Sequence, residues 1–233
     1  MRLRTFAVGA ALAFAACSSD PETAIQNAAL ETDDSKASYG IGLNVGRSIA
    51  DTKNRLDRMA FMRGVNDALA GSDPAVAPEE LQGILQEFAG QIQAEAMAEQ
   101  EALSAENVAA GEAYRAENGQ KEGVTTLASG VQYEVITAGD GPMPLAEQQV
   151  RIHYTGTLID GTEFDSSVGG DPLQLGAGQF ITGFTEALLL MPVGSTWRVV
   201  IPGELAYGPQ GTPSIPPMST LVFQIELLEI VEG

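Results

Sequence analysis

Apolar positions along this chain keep a helical period over one stretch and an alternating period over the next. From about Lys36 to Gln120 helix formers dominate and strand signals are nearly absent. Tyr39, Leu43 and Gly46 lie on one helical face, which Ile49 and Ala50 continue. Phe61, Val65, Ala68 and Leu69 form the stripe of a second helix, predicted from about Leu56 to Ala70 and stopped by Gly71 and Pro74. A long helix is predicted to start at Pro78, because proline suits the first helical turn and Glu79 and Glu80 suit the positive end of the macrodipole. Leu81, Ile84, Leu85, Phe88 and Ile92 mark its apolar face. Beyond Ala94 the sequence is rich in Ala, Glu and Gln, so the second half, to about Glu117, has little to bury against its own chain. At about 1.5 Å per residue such a helix is about 60 Å long. Its second half is expected to be a solvated spacer or part of a contact with another molecule, ended by Asn118, Gly119 and Gly123.

From Val124 the period changes to two. Val131, Tyr133 and Val135 alternate with polar residues. Val150, Ile152 and Tyr154 share one strand face, with Arg151, His153 and Thr155 on the other. Trp197, Val199 and Ile201 share a face, as do Leu221, Phe223, Ile225 and Leu227. Between these strands, Phe184 to Met191 reads as a short amphipathic helix ended by Pro192 and Gly194. The expected class is α+β: an antiparallel sheet wrapped around a short helix, preceded by an all-α N-terminal domain with a long connecting helix.

The first residues read as a targeting signal. Arg2 and Arg4 precede a short apolar run, Phe6 to Ala16, and Cys17 follows the small residues Ala15 and Ala16. That arrangement resembles a bacterial lipoprotein signal, although Phe14 stands where leucine is usual. The resemblance implies a signal peptide over 1–16, lipidation of Cys17, and a small, polar tether over 17–34. Ser18 rather than aspartate after the cysteine implies the outer membrane; the alternative is a soluble periplasmic protein. Cys17 is the single cysteine, so no intrachain disulfide can form. With 31 acidic and 12 basic residues the formal charge is −19, and the basic footprint of a nucleic-acid binder is missing. The single histidine, His153, falls on the strand face opposite Tyr154, and there is no His/Cys cluster for zinc and no nucleophile elbow. No metal or cofactor is expected.

Between Val150 and Val231 the chain carries an ordered series of short motifs. These are Val-Arg-Ile-His-Tyr-Thr-Gly (150–156), Asp-Gly-Thr-Glu-Phe-Asp-Ser-Ser (160–167), Met-Pro-Val-Gly-Ser (191–195), Leu-Ala-Tyr-Gly (205–208), Ile-Pro-Pro (215–217) and Leu-Val-Phe-Gln-Ile-Glu-Leu-Leu (221–228). In order and spacing the series resembles the FKBP-type peptidyl-prolyl isomerases, and so implies rotation about the bond before proline. That bond resists rotation because resonance makes C–N partly double, with a barrier of about 18–20 kcal/mol. The twisted amide has lost this resonance and carries less charge on its oxygen. A dry pocket therefore penalises the planar form more, and no nucleophile, metal or acid–base pair is required.

The resemblance implies that Tyr154, Phe164, Phe180, Phe184, Tyr207 and Phe223 converge on one concave surface. It implies a Tyr154–Asp165 contact at the polar edge of the pocket and a substrate carbonyl bound by the Tyr207 hydroxyl and the Ile181 N–H. Tyr154, Asp165 and Tyr207 are thus the candidate catalytic residues. Phe184 is the implied floor, with Ala206 and Ile215 as walls and Leu173 at a position where phenylalanine is frequent. The floor is tryptophan in most of the family, and Phe180, in place of a smaller aliphatic residue, would refill the pocket. The loop around Thr212–Ile215 is one residue shorter than in the simplest members. Without the resemblance, Phe164, Phe184 and Phe223 read first as core and Asp165 as a turn or cap residue.

Tyr-Gly-Ile-Gly-Leu-Asn-Val-Gly (39–46), followed by a helix pair and a long helix, resembles the dimerising N-terminal domain of macrophage-infectivity-potentiator-type isomerases. The domains expected are a helical dimerisation domain over 35–120 and an isomerase domain over 124–233. The expected partners are proline-containing unfolded or partly folded exported polypeptides, macrolide inhibitors such as FK506, a second copy bound through the N-terminal helices, and a membrane reached through the lipid anchor only. The rival functions are a non-catalytic chaperone or proline-peptide-binding module, and a structural envelope lipoprotein.

Overall fold

Thr32 opens the helical region by a reciprocal cap. Its side chain accepts from the Ser35 N–H at 3.1 Å, and the Ser35 hydroxyl accepts from the Thr32 N–H at 3.1 Å. Helix α1 (Asp33–Ser48) therefore begins inside the stretch expected to be a tether. The computed structural model describes residues 27–52 and 55–231; Cys17, the stretch expected to be an export signal and most of the expected tether lie outside the described residues. Helix α2 (Arg58–Ala70) is capped by Asp57, whose carboxylate accepts from the Met59 and Ala60 N–H groups, and ends on Gly71 in the left-handed conformation. Helix α3 (Pro78–Asn118) runs for 41 residues.

The chain divides into two compact units that meet at Gln82–Gly83. In the first unit no described side chain is buried: Ile41 is 65% exposed and Leu69 84% exposed. The stripes of α1 and α2 are present but have no core of their own.

In the second unit, α3 from Gly83 onward precedes β1 (Val124–Thr126), β2 (Gln132–Thr137), β3 (Gln149–Leu158), β4 (Glu163–Ser166), β5 (Leu173–Gly176), α4 (Thr182–Leu188), β6 (Thr196–Ile201) and β7 (Leu221–Val231). All pairings are antiparallel, in the order β1-β2-β6-β7-β3-β4, with β5 paired to the start of β3. The concave face carries Ile152, Trp197, Val199, Ile201, Leu221, Phe223, Ile225 and Leu227, all buried against Phe184, Ala187 and Leu188 of α4. Val135, on the same face and paired opposite Trp197, is 44% exposed near the end of β2, just before the β2–β6 register shifts. Tyr133 instead stacks on Trp197, with centroids 4.3 Å apart and planes 12° from parallel.

The far half of α3 is not a free spacer. It packs on its own chain along Gln100, Ser104, Asn107, Val108, Gly111, Tyr114, Arg115 and Asn118, which are buried or half-buried and spaced three or four apart. The contact is polar. Arg198 donates to the Tyr114 hydroxyl at 2.6 Å and to the Asn118 side-chain oxygen at 3.3 Å. Asn118 donates to Gln132 at 2.9 Å, and Gln132 donates to the Arg115 carbonyl at 2.8 Å. At Gly111 a methyl group would overlap Thr220, so glycine sets how closely the helix approaches.

Candidate active site

One end of the concave face remains open as a hollow of about 320 Å³, lined by Tyr154, Phe164, Asp165, Leu173, Leu175, Gln179, Phe180, Ile181, Phe184, Tyr207 and Phe223. Phe184 lies at its base, 3% exposed, on the first turn of α4. Thr185 pins that helix by donating its hydroxyl to the Ala177 carbonyl at 3.1 Å. Phe180 stacks on Phe184 at 4.6 Å with planes 20° apart. Phe223 meets Phe184 edge-on at 5.1 Å, Phe164 meets Phe223 edge-on at 5.7 Å, and Tyr154 meets Phe184 edge-on at 6.4 Å. These are the spacings at which aromatic quadrupoles attract.

A bulge and a glycine make this packing possible. Neighbouring residues of a regular strand point to opposite faces, yet both Phe164 and Asp165 line the hollow. The β3–β4 register slips between Gly156 and Thr157, leaving Phe164 as the extra residue and re-aiming its ring. Gly156 faces the space those rings need: a methyl group there would lie 2.6 Å from Phe164 and 2.7 Å from Phe223.

The polar rim is a single strong hydrogen bond. The Tyr154 hydroxyl donates to an Asp165 carboxylate oxygen at 2.5 Å. Burial raises the Tyr154 pKa well above its ordinary value of 10.0, and the bond to Asp165 raises it further, with smaller contributions from the charges of Asp165 and Tyr207. An unfolded chain loses this proton near the ordinary value. The contribution to stability is therefore whole below about pH 10 and is lost as pH rises through the higher folded value. Tyr207 stands across the hollow on the loop after β6, 41% exposed, with Gly208–Gln210 forming a short 3₁₀ turn behind it. Ile181 precedes α4 with extended backbone: its carbonyl accepts the helical N–H of Thr185 at 3.0 Å, and its own N–H lies ahead of the first turn.

Of the residues expected at the site, Ala206 and Ile215 are not in the lining. Ile215 is 4% exposed and belongs to the core. The short loop folds it inward, with Thr212 and Ile215 exchanging backbone hydrogen bonds at 2.8 and 3.2 Å. Leu175 and Gln179 line the hollow and were not expected; Leu175 could have been found, since it sits two residues after Leu173 on the same face of β5. His153 lies outside the lining, 3.2 Å from the Ser167 hydroxyl. Among the described residues no group of His, Cys, Asp and Glu could hold a metal ion.

Comparison with known proteins gives this geometry a context. Residues 34–135 match the domain amino-terminal to FKBP-type peptidyl-prolyl isomerases, and residues 141–228 match the FKBP-type peptidyl-prolyl cis-trans isomerase domain itself. The chain is 46% identical over 204 residues to the FKBP-type 22 kDa peptidyl-prolyl cis-trans isomerase of Escherichia coli strain K12, covering 86% of this chain and 97% of that protein. It is 38% identical over 234 residues to the outer membrane protein MIP of Legionella longbeachae, covering 99% of this chain and 97% of the relative. The crystal structure of FkpA from Escherichia coli superposes with a TM-score of 0.67 at 38% identity, over 87% of this chain and 98% of that one. Helical region, sheet, hollow and sequence agree, and the chain belongs to the FKBP-type peptidyl-prolyl cis-trans isomerases.

Proposed function

We propose that the hollow between Tyr154, Phe184, Phe223 and Tyr207 is where this isomerase turns the Xaa-Pro bond, with the proline ring seated against Phe184. The observation that carries this reading is the convergence of six aromatic rings on one cavity whose polar rim is the Tyr154–Asp165 pair. A planar imide loses hydration on entering that space, and the twisted imide loses less, because its oxygen carries less charge. The Tyr207 hydroxyl and the Ile181 N–H hold the flanking carbonyl, so that rotation is confined to one bond. Tyr154 and Asp165 keep the rim in shape, and the raised Tyr154 pKa extends the donor's protonated range beyond that of an ordinary tyrosine. Macrolides such as FK506 would occupy the same space. In a protease-coupled assay on an Xaa-Pro peptide, Tyr207→Phe is expected to lower kcat/KM about three- to tenfold at unchanged melting temperature, the loss expected for one hydrogen bond of about 1 kcal/mol. Unchanged turnover would remove the role given to Tyr207.

The substrates are read as proline-containing, unfolded or partly folded exported polypeptides. A resemblance to a protein named for the outer membrane supports placing this chain in the bacterial envelope. Among the described residues no helix is long and apolar enough to cross a membrane. The anchor is read as a lipid on Cys17, from the resemblance of residues 1–17 to a lipoprotein signal.

Dimerisation through the N-terminal helices is supported by the exposure of Tyr39, Ile41, Leu43, Val45 and Leu69. An apolar stripe without a partner does not stabilise a helix in water. Tyr39, Gly42, Leu43 and Gly46 line an open apolar groove on α1, and a Cβ at Gly42 or Gly46 would touch nothing within 4 Å. A second backbone could therefore approach closely there. Deleting residues 24–70 is expected to give monomers in sedimentation while short-peptide isomerisation persists; a deletion that stays dimeric would relocate the interface.

A further inference from the structure

Two side chains of α3 reach the loop that carries Tyr207. Gln100 donates to the Pro209 carbonyl at 2.7 Å, and Asn107 donates to the Pro217 carbonyl at 2.8 Å. Gln100 and Asn107 are seven residues apart, so they sit on one helix face two turns apart, roughly 10.5 Å along the axis. The two carbonyls they hold lie at the two feet of the loop. Those feet are tied to each other, because the Met218 N–H donates to the Gly208 carbonyl at 2.8 Å. Met218 carries a φ of 56°, a left-handed conformation that costs a non-glycine residue stability and persists only where neighbours hold it. Its neighbours hold it closely: the Met218 backbone lies hard against Gly203, and Pro217, immediately before it, is the acceptor for Asn107. Tyr207 is two residues from the Gln100 anchor and is itself 41% exposed, so little side-chain packing fixes where its hydroxyl points.

We infer that Gln100 and Asn107 are positioning residues for the isomerase reaction, holding the base of the 207–219 loop against α3 so that the Tyr207 hydroxyl stays aimed into the hollow. This rests on the role given to Tyr207 above, and the test separates the two. Gln100→Glu keeps the size of the side chain but replaces its N–H donor with an acceptor facing the Pro209 carbonyl; Asn107→Asp does the same at Pro217. Gln100→Lys keeps a donor of similar reach. Each Glu or Asp variant is expected to lower kcat about three- to tenfold with little change in KM, and to speed amide hydrogen exchange across 208–219 at an unchanged melting temperature. Gln100→Lys is expected to stay near wild type in both readouts.

The deciding measurement is a double-mutant cycle in which Gln100→Glu is combined with Tyr207→Phe. If Gln100 acts through the tyrosine, its substitution has little further effect once the hydroxyl is gone. Full multiplication of the two losses would overturn the inference, as would normal activity and normal exchange in both acidic variants. If Tyr207→Phe alone is silent, it is the role given to Tyr207 that fails, and this inference falls with it.

Discussion

Phe184→Ala is expected to be the most damaging single substitution in the isomerase domain, lowering stability by about 3–5 kcal/mol and bringing turnover close to the uncatalysed rate. Phe184 is 3% exposed and is the ring on which three others converge: Phe180 stacked at 4.6 Å, Phe223 edge-on at 5.1 Å and Tyr154 edge-on at 6.4 Å. Removing it opens a cavity that α4 cannot close, because Thr185 ties that helix to Ala177. Water entering the cavity would solvate the planar imide and remove the discrimination on which the reaction depends. The substitution toward the family's usual residue gives a sharper test. Phe184→Trp alone enlarges the floor beneath a ring already in contact with it, and overpacking of this kind costs about 1–3 kcal/mol. Pairing it with Phe180→Val removes the ring that stacks there. The double variant is expected to regain most of the stability and activity lost by Phe184→Trp. Chemical denaturation and the peptide assay, run on both singles and the double, measure the coupling. Additive losses would mean that Phe180 and Phe184 do not share one space.

The second large effect is expected at a position with no side chain. Gly156→Ala places a methyl group 2.6 Å from Phe164 and 2.7 Å from Phe223, distances at which one or both rings must move. Neither has room: Phe223 lies on the central strand β7 and is 4% exposed, and Phe164 is the bulged residue of β4. The strain is expected to cost about 1–3 kcal/mol and to shift the walls of the hollow, lowering kcat/KM more than tenfold. Gly161→Ala is the comparison. Gly161 has a φ of 90°, so alanine is strained there too, but no atom lies within 4 Å of the added methyl. Loss of stability without matching loss of activity at residue 161, and loss of both at residue 156, would tie the second effect to the rings. Equal kcat/KM losses in the two variants would indicate that backbone strain alone is responsible.

The sheet was legible because one of its faces is buried. Period-two runs such as Trp197, Val199 and Ile201, or Leu221 through Leu227, can arise in few other ways, and all these residues are buried. Val135 keeps the alternation, opposite Trp197, yet is 44% exposed because it sits near the end of β2, and no local window shows where the sheet's cover stops. Six aromatic positions were named from motif resemblance, and the structure brings them to one hollow; nothing in their spacing alone separates a pocket wall from a core ring. Ile215 illustrates the limit: the Thr212–Ile215 backbone bonds turn it into the core, where it is 4% exposed. The larger omission was the docked half of α3. Apolar residues are the usual sign of a buried helix face, and here the face is Gln100, Ser104, Asn107, Gly111, Tyr114 and Asn118. Uncharged polar residues recurring at helical spacing through a Glu-rich helix were the available signal.

The acceptors on the loop have a practical consequence for anyone who wishes to retarget this enzyme. Gln100 and Asn107 grip main-chain oxygens and not side chains. The exposed residues between the two grips, Gln210, Pro213 and Ser214, can therefore be varied in a library without erasing the attachment, provided Gly211 and the buried Ile215 are kept and the backbone holds its path. Helix and loop form a socket and an exchangeable insert, with selectivity varied in one piece and alignment retained by the other.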